Sequence, residues 1–92
     1  MQITLEVEIY CKEHKGPLGV FQKEFNCDMI PSLGTKIIDS AFEGEAREIK
    51  EIIINYEQDW CFVGLTPQSI DKEEHLNMYK TMYEPNGWKW SG

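Results

Sequence analysis

The sequence predicts an α+β, mainly β domain: a small antiparallel sheet or partly open barrel of four or five strands with one carboxy-terminal helix. Three observations carry this. Residues 3–11 alternate apolar with polar side chains, residues 49–65 (IKEIIINYEQDWCFVGL) form the densest apolar block, and the period turns helical only after Asp71. Period two sorts side chains onto the two faces of a strand, and period 3.6 onto one stripe of a helix.

In the first strand Ile3, Leu5, Val7, Ile9 and Cys11 form the core face, and Thr4, Glu6, Glu8 and Tyr10 the wet face. Gly16 and Pro17 mark a turn. The run 18–27 then returns antiparallel with Phe21, Phe25 and Cys27 on one parity, and the out-of-phase Val20 predicts a bulge or a start near Phe21. Ile30, Pro31, Ser32, Leu33 and Gly34 form a bend, since Pro fixes φ and Gly permits positive φ.

Lys36, Ile37 and Ile38 suffice for a short strand. Residues 39–44 (DSAFEG) form a turn or one helical turn anchored by Phe42. Residues 45–54 fit either period, but three consecutive isoleucines favour a strand from about Arg47, with an irregularity near Lys50. A hairpin through Glu57, Gln58 and Asp59 leads to the strand 60–65. Asp71 followed by Glu74 reads as a helix cap, with Leu76, Tyr79, Met82 and Tyr83 at helical spacing until Pro85, Asn86 and Gly87. Trp88 and Trp90 share one side if the backbone there is extended.

Residues 1–92 make a single domain with no internal repeat, and at this size about 60% of the unfolded chain's surface is buried on folding. The net charge of −7 and the single arginine, Arg47, disfavour direct contact with nucleic acid or with an anionic membrane surface. A basic protein partner fits the charge better. The amino terminus lacks the basic and apolar regions of a signal peptide, and no run is long enough to span a membrane, so a cytoplasmic protein is expected. Cys11, Cys27 and Cys61 are odd in number and widely spaced, which predicts reduced thiols.

Cys11 and His14 have the short spacing of metal ligands, with Cys27, Cys61 and His75 as further donors. A structural zinc site offers two such pairs, and here there is one, so no metal or other cofactor is expected. The chain lacks a nucleophile elbow, a metalloprotease helix motif and a phosphate-cradling loop, so an enzyme is not expected. Asp71 and His75, four apart on the predicted helix, keep a weak metal-dependent hydrolase as the least favoured function.

The expected function is therefore a non-enzymatic binding or inhibitor module acting on another protein. Its candidate surface joins the aromatic set Tyr79, Tyr83, Trp88 and Trp90 to the acidic pair Glu6 and Glu8. Tyrosine and tryptophan bury much area at low entropic cost, which suits them to interfaces. The competing assignment puts Trp60 and Trp88 in the core, Trp90 on the surface, and treats Glu6 and Glu8 as a solvated face that guards an edge strand. An alternative function is sequestering of a nucleotide-like small molecule in a groove between helix and sheet, and two copies pairing along a strand edge make a homodimer a further candidate.

Overall fold

The computed structural model describes residues 1–28 and 32–92. Its strands are β1 (Gln2–Cys11), β2 (Pro17–Asn26), β3 (Lys36–Ile38), β4 (Ala46–Asn55), β5 (Trp60–Leu65), β6 (Gln68–Ile70) and β7 (Lys89–Ser91). The helix α1 (Leu76–Tyr83) is extended at both ends by 3-10 turns, Glu73–His75 and Glu84–Asn86, into a helical segment of 14 residues. A further 3-10 turn, Ser40–Phe42, separates β3 from β4.

These strands form one open, seven-stranded sheet in the order β3-β4-β5-β1-β2-β7, with β6 pairing the end of β1. The fold is mainly β, as expected, but it has seven strands where four or five were predicted, and the sheet does not close into a barrel. Nor is it purely antiparallel. β1 runs parallel to β5 from Gln2 opposite Trp60, and parallel to β6 from Ile9 opposite Gln68. β5 and β6 thus act as one strand interrupted at Thr66 and Pro67, since Pro cannot donate to a ladder. The predicted bend falls partly on Ile30 and Pro31, outside the described residues, while the Ser32 carbonyl accepts from the Thr35 N–H at 3.2 Å to close a turn.

Alternation in β1 works as the sequence implies: Ile3, Leu5, Val7, Ile9 and Cys11 are all buried. The β1–β2 register shifts between Ile9, opposite Gly19, and Tyr10, opposite Pro17, so the extra residue is Leu18 and not Val20. Val20 lies opposite Glu8 and keeps the wet parity. The β4 strand does slip where Lys50 stands, between Ile49 and Glu51, and this lets Ile49 join the core while Ile52 and Ile54 oppose Val63 and Cys61. The hairpin turn is one residue longer than predicted, with Asp59 at φ 59° closing it.

One face of the sheet carries the helix and the core. Phe21, Ala41, Phe42, Ile70, Tyr83 and Trp88 pack there with the apolar rows of β1, β4 and β5. Trp88 and Trp90, flanking Lys89, do lie on one side of β7, and both turn inward: the Phe21 ring is 4.8 Å from Trp90, and Phe42 is 5.6 Å from Trp88. Gly19 makes this approach feasible, because a Cβ there would sit 2.5 Å from the Ser91 carbonyl oxygen and 2.8 Å from the Trp90 ring.

Candidate functional site

The second face of the sheet bears no covering element among the described residues, and its composition follows from register. Side chains directly opposite each other point to the same face. One cross-strand row reads Asn26, Gln2, Trp60, Asn55; the next Glu24, Thr4, Phe62, Ile53; the third Gln22, Glu6, Gly64, Glu51. Beyond these, Glu8 faces Val20. An apolar centre of Trp60, Phe62 and Ile53 therefore abuts the carboxylates Glu6, Glu8, Glu24 and Glu51.

Gly64 shapes this face. The absence of a side chain leaves a dent of about 260 Å³ lined by Glu6, Glu8, Glu51, Phe62 and Lys50. A Cβ at Gly64 would meet the Glu51 Cβ at 3.3 Å. The carboxylates are held by neutral donors: Gln22 Nε2 donates to Glu6 at 2.9 Å, Gln2 Nε2 to Glu24 at 3.1 Å, and the Tyr10 hydroxyl to Glu8 at 3.0 Å. The hydrogen bond to Glu8, with the charge of that carboxylate, pushes the Tyr10 phenol up. Lys50, which lines the dent, is hydrogen-bonded to Glu48 at 2.6 Å, and Lys89 stands at the margin opposite Gln22 on β7.

The predicted aromatic set is divided by the fold. Tyr83 and Trp88 are 1% and 2% exposed, so neither can present its ring to the surface of a protein partner. Tyr79 and Trp90 are half-buried against the core. The reason lies in helix geometry, since residues 79 and 83 are one turn apart and share the face that packs on the sheet. Tyr83 becomes the hub of an aromatic cluster, 4.5 Å from Phe21, 5.3 Å from Trp88, 5.8 Å from Phe42 and 6.3 Å from Tyr79. Glu6 and Glu8 do lie on the exposed face, but on a central strand, so they guard no edge. Trp60, assigned to the core by the competing assignment, is 36% exposed.

The residues of a metal or hydrolase site disperse. Cys11 and Cys61 are buried, and burial pushes the Cys61 thiol up. His14 pairs with Glu73 at 3.2 Å. Asp71 lies before the helical segment and pairs with Lys12 at 2.9 Å, because the pairing of β6 with β1 carries it to the end of that strand. Lys72 takes the cap position that Asp71 was expected to fill. Among the described residues no group of three or more His, Cys, Asp or Glu is placed to hold a metal ion, and no helix is long and apolar enough to cross a membrane.

A second concavity, about 480 Å³, lies between α1 and the Ser40–Phe42 turn, lined among others by Phe42, Arg47, Gln68, Met78, Tyr79 and Tyr83. Arg47 Nη1 donates to the Thr66 carbonyl at 3.0 Å and Nη2 to Gln68 Oε1 at 2.6 Å. Burial pushes the Tyr83 phenol up, partly opposed by the charge of Arg47 and by its hydrogen bonding to the phenol oxygen.

Phe62, Ile53 and Arg47 carry no motif. The alternation within residues 60–65 does separate Phe62 and Gly64 from Cys61, Val63 and Leu65, which is the one signal that could have placed Phe62 beside Glu6 and Glu8. No protein-family model, curated protein or solved structure matches this chain.

Proposed function

We propose that this chain is a non-enzymatic binding module that docks on a basic protein through the uncovered face of its sheet. The observation that carries this reading is the row pattern, in which Trp60, Phe62 and Ile53 adjoin Glu6, Glu8, Glu24 and Glu51. An apolar centre with a charged margin is the anatomy of a protein interface. Glu6 and Glu8 alternate on one strand, about 7 Å apart by strand geometry, and neither joins an ion pair among the described residues, the nearby Lys50 being paired with Glu48. Their mutual repulsion is relieved when a cationic surface covers them, which favours a basic partner and steers its approach.

The aromatic part of the surface is thus assigned to Trp60 and Phe62, in place of Tyr79, Tyr83, Trp88 and Trp90. An inhibitor that covers a basic active or nucleic-acid-binding surface is one form such a module takes.

The test is affinity capture from the native host, with the bound proteins identified and compared across variants. Capture of a protein with a basic contact surface, lost in Phe62→Ala and in Glu6→Lys but kept in the distant Glu74→Lys, is the expected result. Equal capture by all four proteins, or no capture by wild type, overturns the reading.

A further inference from the structure

Arg47 is the only arginine in a chain of 16 carboxylates, yet none of the five ion pairs among the described residues includes it. Its two hydrogen-bond acceptors, the Thr66 carbonyl and the Gln68 amide, are neutral. Its guanidinium lies 5.3 Å from the centre of the Phe42 ring. Arg47 Nε is buried without a partner, and the hydroxyl of Tyr83, a residue 1% exposed, meets the Arg47 guanidinium, which can only donate, and has no acceptor of its own. Both residues line the 480 Å³ groove beside α1. A buried donor left without an acceptor is costly, so two such donors beside one groove mark a place where an acceptor is missing.

We infer that this groove binds a small monocarboxylate with an apolar, aromatic-sized body. The planar fork of a guanidinium matches a carboxylate, and the Tyr83 hydroxyl donates to the same group. Phe42, Tyr79, Met78 and Met82 supply the apolar wall, and methionine adapts to irregular bodies. The volume lies within the range of small-molecule sites. Exposed Glu43 and Glu45 also line the groove. With one arginine against these two carboxylates the groove repels a polyphosphate chain, which turns the ligand class away from nucleotides. The same two carboxylates accept an ammonium, so the carboxylate arises either from a simple acid or from an amino acid.

The groove lies on the helix side of the sheet, so this inference stands apart from the docking face. The test titrates the intact protein with phenylacetate, phenylalanine and phenethylamine, read by amide NMR shifts and by thermal unfolding. Saturable shifts at Arg47, Gln68 and Tyr83 with at least one carboxylate, and none with the amine alone, are expected. Tyr83→Phe weakens that binding about tenfold, the weight of one hydrogen bond to a charged group, and Arg47→Gln abolishes it. Tighter binding of phenylalanine assigns an amino acid, and tighter phenylacetate a simple acid. The inference falls if neither carboxylate saturates, if phenethylamine binds as well as they do, or if Tyr83→Phe binds like wild type. Because Tyr83→Phe removes only an oxygen, it decides the matter even where Arg47→Gln fails to fold.

Discussion

The Trp88 indole N–H donates to Asp39 Oδ1 at 3.1 Å, joining the segment that follows the helix to the turn between β3 and β4, 49 residues earlier. The same carboxylate caps the Ser40–Phe42 turn through the Ala41 N–H at 2.9 Å and pairs with Lys23 Nζ at 2.8 Å. Burial alone raises the Asp39 pKa, but the Lys23, Ala41 and Trp88 donors outweigh it and hold the carboxyl below its usual 3.8.

Asp39→Ala strands the Trp88 and Ala41 donors and should cost about 2–3 kcal/mol in urea unfolding at neutral pH. The folded pKa lies below the unfolded one, so this stabilisation is present above about pH 4 and is lost as pH falls through the folded value. Asp39→Asn should show a flatter stability profile below about pH 4 than wild type. An unchanged profile removes Asp39 from the acid sensitivity of the fold.

Gly19→Ala should loosen β7, since the new methyl group meets backbone oxygen and the Trp90 ring well inside contact distance. A cost of about 1–3 kcal/mol is the usual range for such overpacking. Fluorescence should shift to the red as Trp90 leaves Phe21, and amide exchange should speed up at residues 89–91 before it does elsewhere.

Tyr83→Phe should leave the unliganded protein within about 1 kcal/mol of wild type, because the buried hydroxyl has no acceptor and only the Arg47 guanidinium beside it. Tyr83→Ala empties the middle of the aromatic cluster and should cost about 3–5 kcal/mol. Thermal unfolding of the two variants separates these outcomes.

Glu6→Gln and Glu8→Gln should change stability by less than about 0.5 kcal/mol, because both positions are half-buried on an uncovered face and the glutamine carbonyl can still accept from Gln22 or Tyr10. Their effect belongs to association: partner on-rates should fall with each substitution and, in wild type, with added salt, while dissociation changes less. Stopped-flow measurements at two ionic strengths check this.

Native-state alkylation should modify half-buried Cys27 first, with Cys11 and Cys61 protected until the chain opens. Reaction needs an accessible thiolate, and burial denies Cys61 both the access and the ionisation. Peptide mass spectrometry over a time course reads the order.

Much of the sheet is legible from local pattern. β1, β5 and the slip at Lys50 in β4 follow from alternation and from β-branched runs, each decided within ten residues. β6 is not legible, because three residues after a proline have no period and their partner, Ile9 to Cys11, lies about sixty positions away. The parallel pairing of β1 with β5 is hidden for the same reason. At the candidate sites Glu6 and Glu8 could be placed on a face by parity. The inward turn of Tyr83 could not, since helical spacing defines a stripe without saying whether sheet or water meets it, whereas Trp88 is open to a core placement and takes it. Arg47 illustrates the harder case, because a missing counter-charge is a property of the whole assembled surface.

The central position of β1 also sets an order of events as the chain is made. β1 and β2 can pair as soon as residue 26 is available, but the other edge of β1 stays open until residues 60–70 arrive. Half-made chains therefore expose a row of unpaired amides and carbonyls beside Ile3, Leu5 and Val7, the arrangement most prone to pairing with a neighbour. Slow folding and sensitivity to expression rate are the outcomes to expect, since parallel contacts across this span carry a high loop-closure cost. Of the seven strands, the one made before the other six is among the last to be enclosed.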